Sequence, residues 1–318
     1  MVGAKRKSVM RLPTFLILGT SKGGSTSLYH YLAQHPDVIM SEPKEPRFFH
    51  MEYDRGTDYY WRSYFAGYGG QKEIGDACTR NLYLPFVAPR VANTLPDARL
   101  FVLCRNPVER AISAYWDSHS HGVELLSFEA AIEKNLRRLE DGPRFEDEAE
   151  ASLYARVASQ GNAALQRAYG FYVEPGYYAE HIERYWALFG PDRMKIIFFE
   201  DLTRDAPGVV ADAQRFLGLE PRLLRDAKAQ NRAMSRTAAK VVWTVGRLPG
   251  VGRIPSSWRT EVKRRIAARF RGKKPEISAE VRRLLVEHFR PRNERLAQLT
   301  GRDLQYWSEP FRWNRGGP

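Results

Sequence analysis

From Phe15 onward the chain alternates short apolar runs with amphipathic stretches. The runs Phe15–Leu18, Val38–Met40, Leu100–Cys104 and Lys195–Phe199 predict strands. Helical spacing lies between them: Leu28, Tyr31 and Leu32 follow the first run, VERAISAYW follows the third, and HIERYWALF precedes the fourth. Strands alternating with helices predict an α/β fold of P-loop-like, three-layer form, a mainly parallel sheet covered by helices on both faces. Ligands in such folds sit at the carboxyl ends of the strands. Past Leu217 the pattern changes. Segment 221–274 holds a Pro/Gly-rich stretch (GRLPGVGRIPSS) and then Trp258, Val262, Ile266 and Phe270 spaced by four, the face of a helix. A final helix is expected over Ala279–Phe289, stopped by Pro291, with Asn293–Leu299 continuing helically to Gly301. The expected organisation is a basic tail at 1–12, an α/β core over 13–220, a basic helical lid or subdomain at 221–274 and C-terminal helices of the same domain over 275–318.

The first apolar run opens into GTSKGGSTSL, a strand–turn–helix with glycines, hydroxyls and one lysine. A Walker A loop would place its lysine six residues after Gly19, beside a magnesium-binding hydroxyl, and Ser25 stands there instead. The lysine comes early, as Lys22, followed by Gly23, Gly24, Ser25, Thr26 and Ser27. Glycines let backbone N–H groups approach an anion, and the following helix start adds more donors. The turn therefore predicts phosphate binding without the Walker metal arrangement. Arg105 leaves the third strand, with Ser113 two helical turns further on. Its planar fork suits phosphate, although Glu109 is an equally available local partner.

Glu45 follows the second strand in SEPKEPRFF, held between two prolines and beside Lys44 and Arg47. A carboxylate beside an anion site can take a proton from an attacking hydroxyl, or it can simply form a salt bridge. His119 and His121 lack a third ligand in the sequence and are read as a solvated turn, so no metal is invoked. Two cysteines, Cys78 and Cys104, provide neither a disulfide framework nor metal-ligand spacing.

Charge sharpens this picture. The chain of 318 residues has a formal net charge of +13. Segment 221–274 alone holds 16 Lys/Arg against 2 Asp/Glu, a local net of +14. Such a field attracts anions, whether nucleic acid, anionic lipid or an acidic small molecule. By contrast, Glu129–Glu150 mixes both signs and reads as a solvated helix and loop.

Taken together, KGGSTSL, KEPRFF, LPDARLFVLCRNPVERAISAY, GYYAEHIERYWALFGPDRMKIIFFEDL and the ending HFRPRNERLAQLTGRDLQYW resemble the sulfotransferases that use 3′-phosphoadenosine-5′-phosphosulfate (PAPS). The branch resembled contains the heparan sulfate enzymes and bacterial carbohydrate sulfotransferases, and the likeness runs from about Pro13 to Trp307. It implies that the loop Lys22, Gly23, Gly24, Ser25, Thr26 and Ser27 holds the 5′-phosphosulfate, with no metal, and that Lys22 stabilises the leaving group. Arg105 and Ser113 would take the 3′-phosphate, and Glu45 would be the general base, leaving 3′-phosphoadenosine-5′-phosphate (PAP) as product. Arg271, Gly272, Lys273 and Lys274 resemble a basic loop that closes over PAPS.

Arg47 stands where heparan enzymes often carry His, and Ala77 where some carry Lys, and both differences weaken a heparan-like acceptor. Lys44, Arg47 and Asp76, the last standing where many relatives have Glu, are candidate acceptor-binding residues. The acceptor is expected to be a hydroxyl of a small molecule, carbohydrate, natural product or lipid-linked compound, recognised by 221–274. An anionic acceptor and peripheral membrane contact through 240–274 are further expectations. With no anchor visible, the expectation is a cytoplasmic, bacterial enzyme. The competing readings are a P-loop-type nucleotide or sugar kinase, which needs the missing Walker lysine, and a nucleic-acid-binding protein. The second would leave the strand-edge residues unexplained, and no nucleic-acid partner is expected.

Overall fold

The computed structural model describes residues 11–225 and 277–308. The Trp258 stripe, the Arg271–Lys274 cluster and the whole of 240–274 fall outside these residues. In chain order the elements begin with β1 (Phe15–Gly19), α1 (Ser25–Leu32), β2 (Val38–Met40), α2 (Gly56–Tyr64), β3 (Glu73–Ala77), α3 (Arg80–Tyr83), α4 (Val87–Thr94) and β4 (Arg99–Cys104). Then come α5 (Pro107–Ser120), α6 (Phe128–Asp141), α7 (Glu148–Ser159), α8 (Asn162–Tyr169), α9 (Tyr178–Phe189), β5 (Met194–Phe198), α10 (Phe199–Arg204), α11 (Ala206–Phe216) and α12 (Ala279–Thr300).

By packing, these elements divide into two compact units. The first is built from 11–20, Gly24–Leu103 and 182–225, the second from Ser21–Gly23, Cys104–His181 and 277–308. The division runs through the stretch 13–220 that the sequence suggests is one core.

The first unit holds a sheet in the order β2-β3-β1-β4-β5. Its β2/β3, β3/β1 and β1/β4 pairings are parallel, with Phe15 opposite both Gly75 and Arg99. Strands buried on both faces read as continuous apolar runs, and all five residues of β1 are buried. Phe15, Ile17, Phe101 and Leu103 pack with Leu28 and Leu32 of α1 and Val210 and Ala213 of α11. Phe15 meets Phe101 edge-to-face with centroids 5.9 Å apart. Each such side chain contributes about 1.5–3 kcal/mol by leaving water.

β3 is a strand that periodicity does not announce, because EIGDA carries Gly and Asp. The pairing explains the glycine. A Cβ on Gly75 would stand 2.3 Å from Phe15 Cζ and 2.5 Å from Met40 Sδ. The other expected strands fall within a residue of their predicted bounds.

In the second unit α5, α6 and α12 share a core of Val108, Ile112, Tyr115, Phe128, Ile132, Leu285 and Phe289. α12 corrects an expectation, since Pro291 lies inside it rather than ending it. Proline lacks the N–H that closes the helical ladder. Buried Leu285, Phe289, Asn293 and Leu296 hold the helix together on both sides of that gap, and Gly301 at φ 65° closes it. The mixed-charge stretch is α6 and the loop after it, although α6 buries Phe128, Ala131, Ile132 and Asn135.

Candidate active site

The loop after β1 puts Lys22 in the left-handed region at φ 68°, a conformation that a lysine adopts only when its surroundings hold it there. One of those holds is visible. Arg105 Nη1 donates to the Lys22 carbonyl at 2.9 Å. Arg105 is in turn fixed by Tyr178, whose hydroxyl donates to the Arg105 carbonyl at 2.9 Å and accepts from its N–H at 3.4 Å. α5 then starts on a strong cap: Asn106 Oδ1 accepts from the N–H groups of Val108 and Glu109 at 3.0 and 3.2 Å, with Pro107 in the first turn. The Asn106 amide donates to the Trp307 carbonyl at 3.2 Å, tying the helix start to the C-terminal segment.

Glu109, the local alternative for Arg105, is taken by Arg282 Nη1 at 2.7 Å. Ser113 lies two turns into α5, and Asp117 follows one turn later on the same face. The Lys22 ammonium meets Asp117 Oδ1 at 3.2 Å. The second unit thus gathers Lys22, Arg105 and the Ser113 face of α5.

The first unit carries the rest of the turn and the carboxylate. Gly24, at φ 99°, is the N-cap of α1 and makes no side-chain cap. A Cβ there would stand 2.9 Å from Leu202 Cδ2, and the positive φ itself favours glycine. Ser25, Thr26 and Ser27 form the first turn of α1, whose N–H groups have no intrahelical acceptor and favour an anion.

Glu45 is three-quarters buried, and cations and a hydroxyl converge on it. Lys44 Nζ stands at 3.4 Å and Arg80 Nη1 at 3.9 Å. The Thr79 hydroxyl is 3.0 Å from Oε1 and 3.2 Å from Oε2, so its single proton serves one oxygen at a time. Thr79 and Arg80 leave the carboxyl end of β3, which is how the overlooked strand presents them to Glu45. The Cys78 thiol is 3.9 Å from Glu45 Oε2 and 3.7 Å from His50 Nδ1. Burial pushes the Cys78 thiol well up and His50 well down, so that neither is charged near neutrality.

Asp76 is almost fully buried and accepts a hydrogen bond from the Tyr60 hydroxyl. Its pKa is pushed up to about 7, first by burial and further by the charge of Glu45, against the Tyr60 hydrogen bond and Lys44. Its Oδ1 has no hydrogen-bond partner among the described residues. The Lys44 side chain is largely buried and directed at Glu45, while Arg47 is exposed. His119 lies within α5, stacked on Tyr115, and His121 caps that helix with Nδ1 2.7 Å from the Asp117 carbonyl. Sequence reasoning did not single out Thr79, Arg80, Tyr178, Asn106 or Asp117. Only Asn106 had a local signal, as an Asn-Pro helix start.

The first unit thus carries a parallel sheet with the glycine start of α1 and a clasped carboxylate, and the second carries Lys22 and Arg105. The sulfotransferase domain family matches residues 12–247, and the chain belongs to that family. It is 29% identical over 295 residues to human heparan sulfate glucosamine 3-O-sulfotransferase 3B1, covering 92% of this chain and 65% of the relative. It is 27% identical over 317 residues to human bifunctional heparan sulfate N-deacetylase/N-sulfotransferase 3, covering 96% of this chain and 32% of that protein. The chain therefore spans about a third of the larger relative. A sulfotransferase structure from Alicyclobacillus acidocaldarius superposes with a TM-score of 0.65 at 26% identity, covering 94% of this chain and all of that one.

Proposed function

We propose that the protein transfers a sulfuryl group from PAPS to a hydroxyl of a carbohydrate or other small acceptor, including lipid-linked and natural-product alcohols. PAPS supplies a sulfuryl group already activated by its mixed phosphate–sulfate anhydride link. Glu45 takes the proton of the attacking hydroxyl as the new O–S bond forms. Lys22 neutralises the charge left on the 5′-phosphate as the old S–O bond breaks. The first-turn N–H groups of α1 hold the 5′-phosphate, and Arg105 with Ser113 takes the 3′-phosphate, so catalysis is positioning plus charge stabilisation.

The observation that carries this reading is the setting of Glu45, hydrogen-bonded by Thr79 and flanked by Lys44 in a chain of the sulfotransferase family. The residues fit the donor on a second ground. The start of α1, with glycine as its N-cap and no side-chain cap, suits a phosphate. The names of the relatives favour a carbohydrate acceptor, while Arg47 and Ala77 weigh against a heparan-like one. The test is transfer from PAPS to a panel of sugar and lipid-linked alcohols, scored by matched release of PAP and sulfated product. Glu45→Gln is expected to lower turnover by about 10²–10⁴ while PAP still binds. Undiminished turnover in that variant would remove Glu45 as the base.

A further inference from the structure

We propose that Asp117 is a positioning residue that holds Lys22 before the donor binds, and that the nucleotide's 5′ anionic group must displace it. The inference rests on the donor reading above. The face of α5 assigned to a phosphate carries a carboxylate one turn beyond Ser113, and a carboxylate there repels the ligand its neighbours attract.

Its geometry shows what it does. Asp117 Oδ1 is 3.2 Å from Lys22 Nζ, with the lysine side chain 17% exposed and the aspartate 44% exposed. The lysine backbone is held in its left-handed conformation with its carbonyl on Arg105 Nη1. The ammonium therefore swings from a fixed origin. On α5 itself, His121 Nδ1 is the other basic group near Asp117, 4.0 Å from Oδ1. Its ring already contacts the Asp117 carbonyl at 2.7 Å, which leaves Lys22 as the nearer cation for the carboxylate.

An exchange of counter-ions follows. Lys22 leaves Asp117 for the 5′ group on binding and returns when the product departs, so Asp117 weakens nucleotide affinity without taking part in bond making. The displaced pair is partly exposed, which limits the effect to about two- to fivefold.

The experiment is isothermal titration of the native protein, Asp117→Asn, Asp117→Ser and Asp117→Glu with adenosine-3′,5′-bisphosphate and, in parallel, with adenosine-3′-monophosphate. The two neutral replacements are expected to bind the bisphosphate about two- to fivefold tighter, with Asp117→Glu near native. The monophosphate, lacking the 5′ group, is expected to bind all four proteins alike. In turnover the neutral variants are expected to lower the donor KM by the same factor. Bisphosphate affinity that is unchanged or weaker in both neutral variants overturns the inference, and so does an equal gain for both nucleotides. Native protein that binds no bisphosphate overturns the donor reading and this inference with it, whereas native binding without a gain overturns the inference alone.

Discussion

Asp76 shows how much of this site is set by burial rather than by residue type. Its carboxyl is pushed from an unfolded value near 3.8 up to about 7, so the folded chain favours the neutral form. Below about pH 4 folded and unfolded chains both hold the proton, and no penalty arises. Between about pH 4 and 7 the unfolded chain has lost a proton that the folded chain retains, so stability falls as pH rises, and above that window the full loss is present. Asp76→Asn lacks this titration. Its melting temperature relative to the native protein is expected to climb from pH 4 to 7 and then level off. A difference that is flat across that range would contradict the burial account.

Glu45, Lys22 and Arg105 stand out in the sequence as candidates because each sits in a short run with its own geometry: two prolines, a glycine turn, a strand end. Thr79 does not. It lies 34 residues from Glu45, and only the strand pairing brings its hydroxyl to the carboxylate.

At the scale of elements, what could be read followed the strength of local periodicity. β1 and β4 are continuous apolar runs in a sheet buried on both faces, and they emerged almost to the residue. β3 did not, since its glycine is dictated by a neighbour rather than by its own pattern. Gly75→Ala is expected to cost about 1–3 kcal/mol through overpacking against Phe15 and Met40. Denaturant titration measures this, and an unchanged midpoint would mean that the pairing of Phe15 with Gly75 is looser than described. Pro291 misled in the opposite sense. A local helix-breaker was overruled by a stripe of buried side chains running past it on α12. Because Thr79 and Arg80 follow directly from the carboxyl end of β3, a weakened β3 is expected to loosen the grip on Glu45 as well.

For the whole molecule, family and fold class were legible because several motifs occur in order along nearly the entire chain. The division into two units was not, because it depends on which helices share a core rather than on any linker composition. Lys22 and Arg105 belong to one unit and Glu45 to the other, each readable locally. No helix among the described residues is long and apolar enough to cross a membrane. A net charge of +13 favours an anionic donor at long range, an attraction that salt screens over about 10 Å at 0.1 M. The proposed donor is 3′-phosphorylated, with Lys22 and Arg105 as its anion-binding residues, whereas a kinase would take a magnesium nucleotide. The most direct test is therefore isothermal titration with adenosine-3′,5′-bisphosphate beside Mg-ATP, on the native protein and Arg105→Ala. The account predicts tight binding of the bisphosphate, weakened in the variant by tenfold or more as a charge-assisted phosphate contact is lost. Binding of Mg-ATP with none of the bisphosphate would contradict it.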